Sequence, residues 1–258
     1  MIKKIDFKID ELSSMKNYPK DLYYIGNINL LNQKKVSIVG TRRPNSYTKE
    51  FTHKLASKLS NAGICIVSGA AMGVDALAHK ASQNYNTIAV VANGLDIRYP
   101  SVNKTLIQNI EKNGLILSAY EEGNKARNYT FVHRNEIVVA LGDILIVSEA
   151  DIKSGSLTSV DYTLKMNKKV YTLPHRINES LGTQALVKKG LIEPIYDIDE
   201  FVENIAPKQI KTQIKDEFLE YCQNSPLYDE AVSKYNDKVF EYELMGKIEI
   251  RNGKIFVL

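Results

Sequence analysis

The chain has 258 residues, 44% of them apolar, with 34 Lys and Arg against 30 Asp and Glu. This composition excludes a disordered or fibrous polymer and can fill a core without disulfide or metal staples. No run approaches the roughly 18 apolar residues of a membrane-spanning helix, and the start MIKKIDFKIDELSSMK lacks the apolar stretch of a secretory signal. A cytoplasmic protein with no membrane partner is therefore expected. Cys65 and Cys222 are too far apart in sequence to suggest a thiolate metal site, and Cys65 sits inside the apolar run ICIVSG, as a buried inert thiol would.

From Lys35 onward, short β-branched runs alternate with amphipathic stretches. VSIVG (36–40) precedes a helical pattern from Tyr47 to Asn61, and ICIVSG (64–69) precedes one from Asp75 to Ser82. TIAVVAN (87–93) leads to a helix at Asn103–Asn113, and LILSAY (115–120) to one at Thr130–Leu141. DILIVSEA (143–150) leads to Ser156–Met166, and VYTLP (170–174) to Gly182–Lys189. Continuous apolar strands are those covered on both faces, and the alternation with helices implies an α/β protein with a doubly wound, mostly parallel sheet. No internal repeat or low-complexity tract interrupts the pattern. In such sheets ligands bind beyond the carboxyl ends of the strands. The loops 41–46, 70–74, 93–102, 121–130, 151–156 and 174–181 are the places to look for function.

Near Pro207 the character changes. A polar helical stretch, KQIKTQIKDEFLEYCQNSP, is followed by short helices around Tyr228–Tyr235 and Asp237–Met245. The end, GKIEIRNGKIFVL, reads as a hairpin turning at Arg251-Asn252-Gly253. Three helices and a hairpin suggest a small winged-helix-like domain over 208–258, after a short extension (1–34) and a main domain (35–207). Residues 1–207 carry 26 basic and 21 acidic side chains, whereas 208–258 carry 8 and 9. A phosphate-bearing partner is expected on the main domain, and a protein-contact role for the tail.

Several loops have anion-binding chemistry. In VGTRRPNSY, Arg42 and Arg43 follow a strand and precede a helix N-terminus, where backbone N–H groups and the helix dipole favour a negative charge. In VSGAAMGVDALAH, Gly69 and Gly73 flank a tight strand-to-helix turn with small residues between them. That turn suits either close ligand approach or simple packing, and Asp75 is placed as an N-cap or first-turn acid. His79 reads as a helix-face residue. ARNYTFVHRNEIVVAL interleaves Arg127, Tyr129, Phe131, His133 and Arg134, a mixture of stacking and phosphate-pairing groups suited to a single nucleic-acid strand. For Phe131, core packing is the competing role. In EADIKSGSLTS, Lys153, Ser154, Gly155, Ser156, Thr158 and Ser159 surround another helix start, which is either an anion site or an ordinary serine cap. Walker, zincin and nucleophile-elbow motifs are absent, as is a Gly-x-Gly-x-x-Gly fingerprint. The pattern favours a binder of extended polyphosphate, with neither metal nor cofactor.

VGTRRPNSY, VSGAAMGVDALAH, NGLDIRYPSVNKTLI, FVHRNEIVVAL, SEADIKSGSLTS and HRINESLGTQAL follow one another as in the DNA-processing protein A family (DprA, also called Smf), which residues 20–205 resemble. The tail also resembles the winged-helix-like domain of many members. The resemblance implies an extended Rossmann-like domain without catalysis. It implies homodimers that bind single-stranded DNA, protect incoming DNA during natural transformation and load the RecA recombinase. Carried across, the DNA pocket uses Arg42 or Arg43, Phe131 for stacking, Arg134, Asn135, the Ser154-Gly155-Ser156 turn and Thr158. The family commonly has Arg where this chain has Glu136, and Lys where it has Asn128, for which Arg127 can substitute. It also has Pro-Gly at Pro174-His175, and Asn at Gln184. The alternative is an enzyme of the nucleoside-monophosphate phosphoribohydrolase type, but its Pro-Gly-Gly-x-Gly-Thr loop with a catalytic Glu has no counterpart here. A pure interaction scaffold is a third reading.

Overall fold

The β-branched runs form the centre of a nine-stranded sheet. In chain order its strands are β1 (Lys3–Lys4), β2 (Tyr23–Gly26), β3 (Lys35–Val39), β4 (Cys65–Ser68), β5 (Thr87–Val91), β6 (Leu115–Ser118), β7 (Ile144–Val147), β8 (Val170–Thr172) and β9 (Glu193–Pro194). Their spatial order is β1-β2-β6-β5-β4-β3-β7-β8-β9. All neighbours from β6 to β9 are parallel, while β1 and β2 are antiparallel additions at one edge. The computed structural model describes residues 1–82, 85–206, 217–222, 224–244, 246–251 and 253–257. The chain divides into two units, 1–207 and 208–258.

Both sheet faces are covered, so alternate residues of each central strand enter different cores. Val36 and Ile38 of β3, Ile66 of β4 and Ile146 of β7 pack with α1 (Ser46–Asn61), α2 (Val74–Ala81) and α7 (Ile198–Ile205). Cys65, Val67, Leu145 and Val147 face the opposite way, against α4 (Asn128–Leu141) and α5 (Gly155–Lys165). α3 (Lys104–Asn113) covers Ala89, Val91 and Ile116, and α6 (Leu181–Lys188) follows β8. Cys65 is fully buried, and burial pushes its thiol up to about 12, which keeps it protonated.

The segment 1–34, expected to be an extension, is part of the sheet and core. Tyr24 pairs with Leu117 and Lys3 with Tyr24, and Leu12 is fully buried. Lys35 fixes the segment: its buried ammonium donates to the carbonyls of Leu31 (2.6 Å) and Gln33 (2.9 Å) and pairs with Glu11 at 2.6 Å. α4 starts two residues earlier than its apolar periodicity suggests, because the Thr130 hydroxyl accepts the Arg127 N–H at 2.8 Å. Arg134 and Asn135 lie in the interior of this helix.

The second unit contains α8 (Glu217–Cys222), α9 (Tyr228–Tyr235), α10 (Asp237–Leu244) and an antiparallel hairpin, β10 (Ile248–Arg251) with β11 (Lys254–Val257). Phe218, Cys222, Ala231, Val239, Ile248 and Ile255 form its core, with Tyr235 and Tyr242 edge-on to Phe218. Pairing of Arg251 with Lys254 and a positive φ of 73° at Gly253 fit the tight turn read from Asn-Gly. The expected helical residues 208–216, Met245 and Asn252 lie outside the described residues.

His79 of α2 is buried. Its Nδ1 lies 2.7 Å from the Thr87 hydroxyl, which donates to the Ile66 carbonyl, so Nδ1 carries the hydrogen. Burial, reinforced by the Arg134 charge, pushes the imidazole down to about 3. Between about pH 6.5 and that value the unfolded chain binds a proton that the folded protein refuses, so stability is lost as the pH drops through this window. His79→Gln is expected to flatten this acid arm, measured by urea unfolding at a series of pH values. An equally steep arm in both proteins would exclude His79 as its source.

Candidate functional site

Parallel β3 leads to β4 on one side, while β7 lies on its other side, so the topological switch point falls between β3 and β7. Ligands in open α/β sheets bind in the crevice created there. A cleft of about 760 Å3 occupies this place, between Gly40, Thr41 and Arg42 after β3 and Ser154, Gly155 and Ser156 at the start of α5, with Asn135 of α4 alongside. A second cleft of about 350 Å3 adjoins it beyond β4 and β5. Its walls include Phe131, Tyr99, Pro100, Met72 and Asn93, and it shares Arg42, Ala71 and Arg134 with the first. The two form one groove, more apolar around Phe131 and more polar beside the start of α5.

Arg134 forms the floor of this groove. It is only 5% exposed and projects from α4 toward the strand ends. Its Nη1 lies 3.6 Å from the Asp75 carboxylate and donates to the Val90 carbonyl at 3.5 Å. Asp75 also accepts the N–H groups of Gly69 (3.2 Å) and Ala71 (3.4 Å). Burial raises the Asp75 carboxyl above the usual range, against the pull of Arg134 and the two N–H groups. Burial lowers the Arg134 pKa, against the pull of Asp75. Asp75 thus belongs to the first turn of α2 and organises the preceding turn, while Gly73 occupies the cap position.

The glycines of VSGAAMG are explained by close approach. A Cβ on Gly69 would lie 1.1 Å from Arg134 Nη1, so any side chain there would displace the guanidinium. Gly73 has φ 77°, and a Cβ there would meet the Thr41 carbonyl oxygen at 2.4 Å. It supports the 41–42 loop from behind, and the Val74 N–H donates to Thr41 O at 3.1 Å. Asn103 completes the turn by donating to the carbonyls of Ala70 and Ala71, both at 3.0 Å.

Phe131 is half-buried and belongs to none of the apolar cores. The Arg42 guanidinium stands 5.6 Å from its ring centroid and that of Arg134 5.8 Å, while the Tyr99 ring is 6.1 Å away. An aromatic face with two cations beside it suits a stacked base with a phosphate in reach. At the polar end, Ser154 caps α5 with its backbone and its hydroxyl is buried without a protein partner. That leaves the α5 N-terminus with donors for an anion.

The structure therefore brings Arg42, Gly69, Phe131, Arg134, Asn135, Ser154, Gly155 and Ser156 to one groove. Arg43, Arg127, Lys153 and Thr158 do not line it, and Gly73 acts from behind. Glu136 faces away, accepting the Lys16 N–H at 3.2 Å, so its negative charge falls on the N-terminal segment. Sequence reasoning missed Met72, Asn93, Tyr99 and Pro100. The loop 93–102 was legible as a strand-end loop, but nothing in its residue types marks Tyr99 as a wall of the groove. Among the described residues, no group of three or more His, Cys, Asp or Glu is arranged to hold a metal ion.

Comparison with known proteins extends this picture. The family profile described as DNA recombination-mediator protein A matches residues 7–206. A structure of DNA processing protein A from Helicobacter pylori, reported for its unique single-stranded DNA binding mode, is similar with a TM-score of 0.78. The two are 40% identical, covering 79% of this chain and 95% of that one. The Streptococcus pneumoniae DprA structure gives a TM-score of 0.70 at 33% identity, over 75% and 69% of the two chains. Protein Smf from Synechocystis sp. is 38% identical over 180 residues, which are 67% of this chain and 45% of the relative. The match thus spans less than half of that relative's length. With the profile matching residues 7–206 and relatives 38–40% identical, the chain belongs to the DNA recombination-mediator protein A family of DprA and Smf proteins.

Proposed function

We propose that the protein binds single-stranded DNA in the groove and acts as a non-catalytic recombination mediator, protecting incoming DNA and loading the RecA recombinase during natural transformation. The observation that carries the reading is Arg42 over the Phe131 ring at the junction of the two clefts. This pairs a stacking face with a phosphate partner, and the groove continues past it to the α5 N-terminus. Two adjoining clefts with shared walls fit consecutive nucleotides of a strand whose bases are free to unstack. The similarity to the Helicobacter pylori protein supports the same ligand. In this reading the protein works in the cytoplasm as a homodimer, and the acidic, winged-helix-like second unit contacts protein.

Arg42→Ala is expected to weaken oligo-dT binding and lower the slope of log affinity against log salt by about 0.7. Phe131→Ala should cost roughly 1–3 kcal/mol of binding. Both are measured by fluorescence anisotropy at several salt concentrations. Unchanged affinity and slope in both variants would reject the groove as the DNA site. Release of free base from nucleoside monophosphates would favour the phosphoribohydrolase reading.

Arg134 should behave differently, because its loss leaves the Asp75 carboxylate buried and unpaired. Arg134→Leu is expected to destabilise the fold by about 3–5 kcal/mol in urea unfolding, whereas exposed Arg42→Ala should leave stability within about 0.5 kcal/mol. Adding Asp75→Asn to Arg134→Leu should recover part of the loss, since the two sites are coupled.

A further inference from the structure

Beyond the groove, on the β8 side, lies a cleft of about 980 Å3 between the start of α1 and the 174–179 loop. The loop after β3 borders both: Gly40, Thr41 and Arg42 line the central cleft, and Asn45, Ser46 and Tyr47 line this one. Glu149 fixes the ridge between them. Its carbonyl accepts the Thr41 N–H at 2.9 Å and its carboxylate accepts the Asn45 N–H at 3.2 Å. Arg43, which lines neither cleft, is exposed on this ridge.

The lining combines flat rings with a cation. Tyr47 and His175 meet with ring centroids 5.7 Å apart at 69°. His175 is held in place because its Nε2 must donate to the Ser148 carbonyl, 2.7 Å away. Arg176 beside it is exposed, and its carbonyl is fixed by the Gln184 amide at 2.6 Å. At the α1 start, Asn45 Oδ1 accepts the Thr48 N–H at 2.7 Å, while the N–H groups of Ser46 and Tyr47 are donors the helix itself cannot satisfy. Glu179 opposes a second phosphate but can accept from a base amino or imino group. One phosphate with an adjoining base edge and face is the chemistry of a nucleotide in a single strand. A paired, stacked base offers no free face.

We propose that this cleft is a second nucleotide subsite, which takes the continuation of the strand after it crosses the ridge at Arg43. The inference rests on the single-strand reading of the central groove. His175 stands where the resemblance places glycine, so the ring wall is a feature of this chain.

The test compares oligo-dT of about 6 and about 20 nucleotides, lengths within and beyond a single small site. Both bind in anisotropy titrations to the unaltered protein, Arg176→Glu and His175→Gly. Each variant is expected to lose about tenfold in affinity for the long oligonucleotide, the order of one stacked base or one phosphate contact, and less than about twofold for the short one. Thermal melting identifies a variant that has merely unfolded, and exposed Arg176 keeps the test open if His175→Gly does so. Full affinity of folded Arg176→Glu for the long oligonucleotide, or equal losses at both lengths, would overturn the subsite. Arg42→Ala with Phe131→Ala should lower affinity at both lengths. If that double variant binds both normally, the central reading fails and the subsite with it.

Discussion

A guanidinium buried at the end of a parallel sheet sets the terms for the rest of the site. Arg134 reaches the strand ends almost without solvent, and a buried charge is tolerated only with a partner and hydrogen bonds. Asp75, 3.6 Å away, and the Val90 carbonyl meet that demand. Asp75 in turn orders the 69–71 turn through two backbone N–H groups. The guanidinium occupies the volume where a side chain on residue 69 would lie, so glycine is imposed by the charge and not by any need of the ligand. On its outer side the same group approaches the Phe131 ring, and Arg42 approaches from the opposite loop. The structural ion pair and the binding surface therefore share one residue.

The sheet order explains why such distant segments meet. Chain reversal between β3 and β7 opens a crevice that loops from 40–42 and 154–156 line together. The β4 and β5 loops, at 69–72 and 91–93, extend it toward Phe131 and Tyr99. Because the backbone of the central strands is paired on both sides, the platform is rigid and the loops carry the chemistry. The N-terminal segment stabilises the platform from the far edge, where β2 closes the sheet against β6 and Lys35 ties the preceding turn to Glu11.

Charge placement matters more than its amount. The net charge is only +4, yet two arginines and a helix N-terminus converge on one groove. Glu136, which lowers the local charge on paper, points to Lys16 on another side of α4. Such an arrangement suits a few phosphates at defined positions better than a diffuse basic coat on nucleic acid.

The sequence by itself determined the α/β class, the central strands and their helices to within about three residues, and the loops that line the groove. Apolar runs buried on two faces and glycine- or serine-marked helix starts are local signals. It also marked Arg42, Phe131 and the 154–156 turn, whose chemistry is evident from residue type. The N-terminal strands were not legible: Tyr23–Gly26 is too short to show a period and gains its stability from pairing with β6. Tyr99 and Met72 carry no distinctive chemistry and become walls only because the 93–100 loop folds back over Phe131. Arg43 and Arg42 are indistinguishable in sequence, and only the path of the loop turns Arg42 to the ring. Only the tertiary structure showed that Phe131 stays outside the apolar cores, with its ring beside Arg134 at the groove.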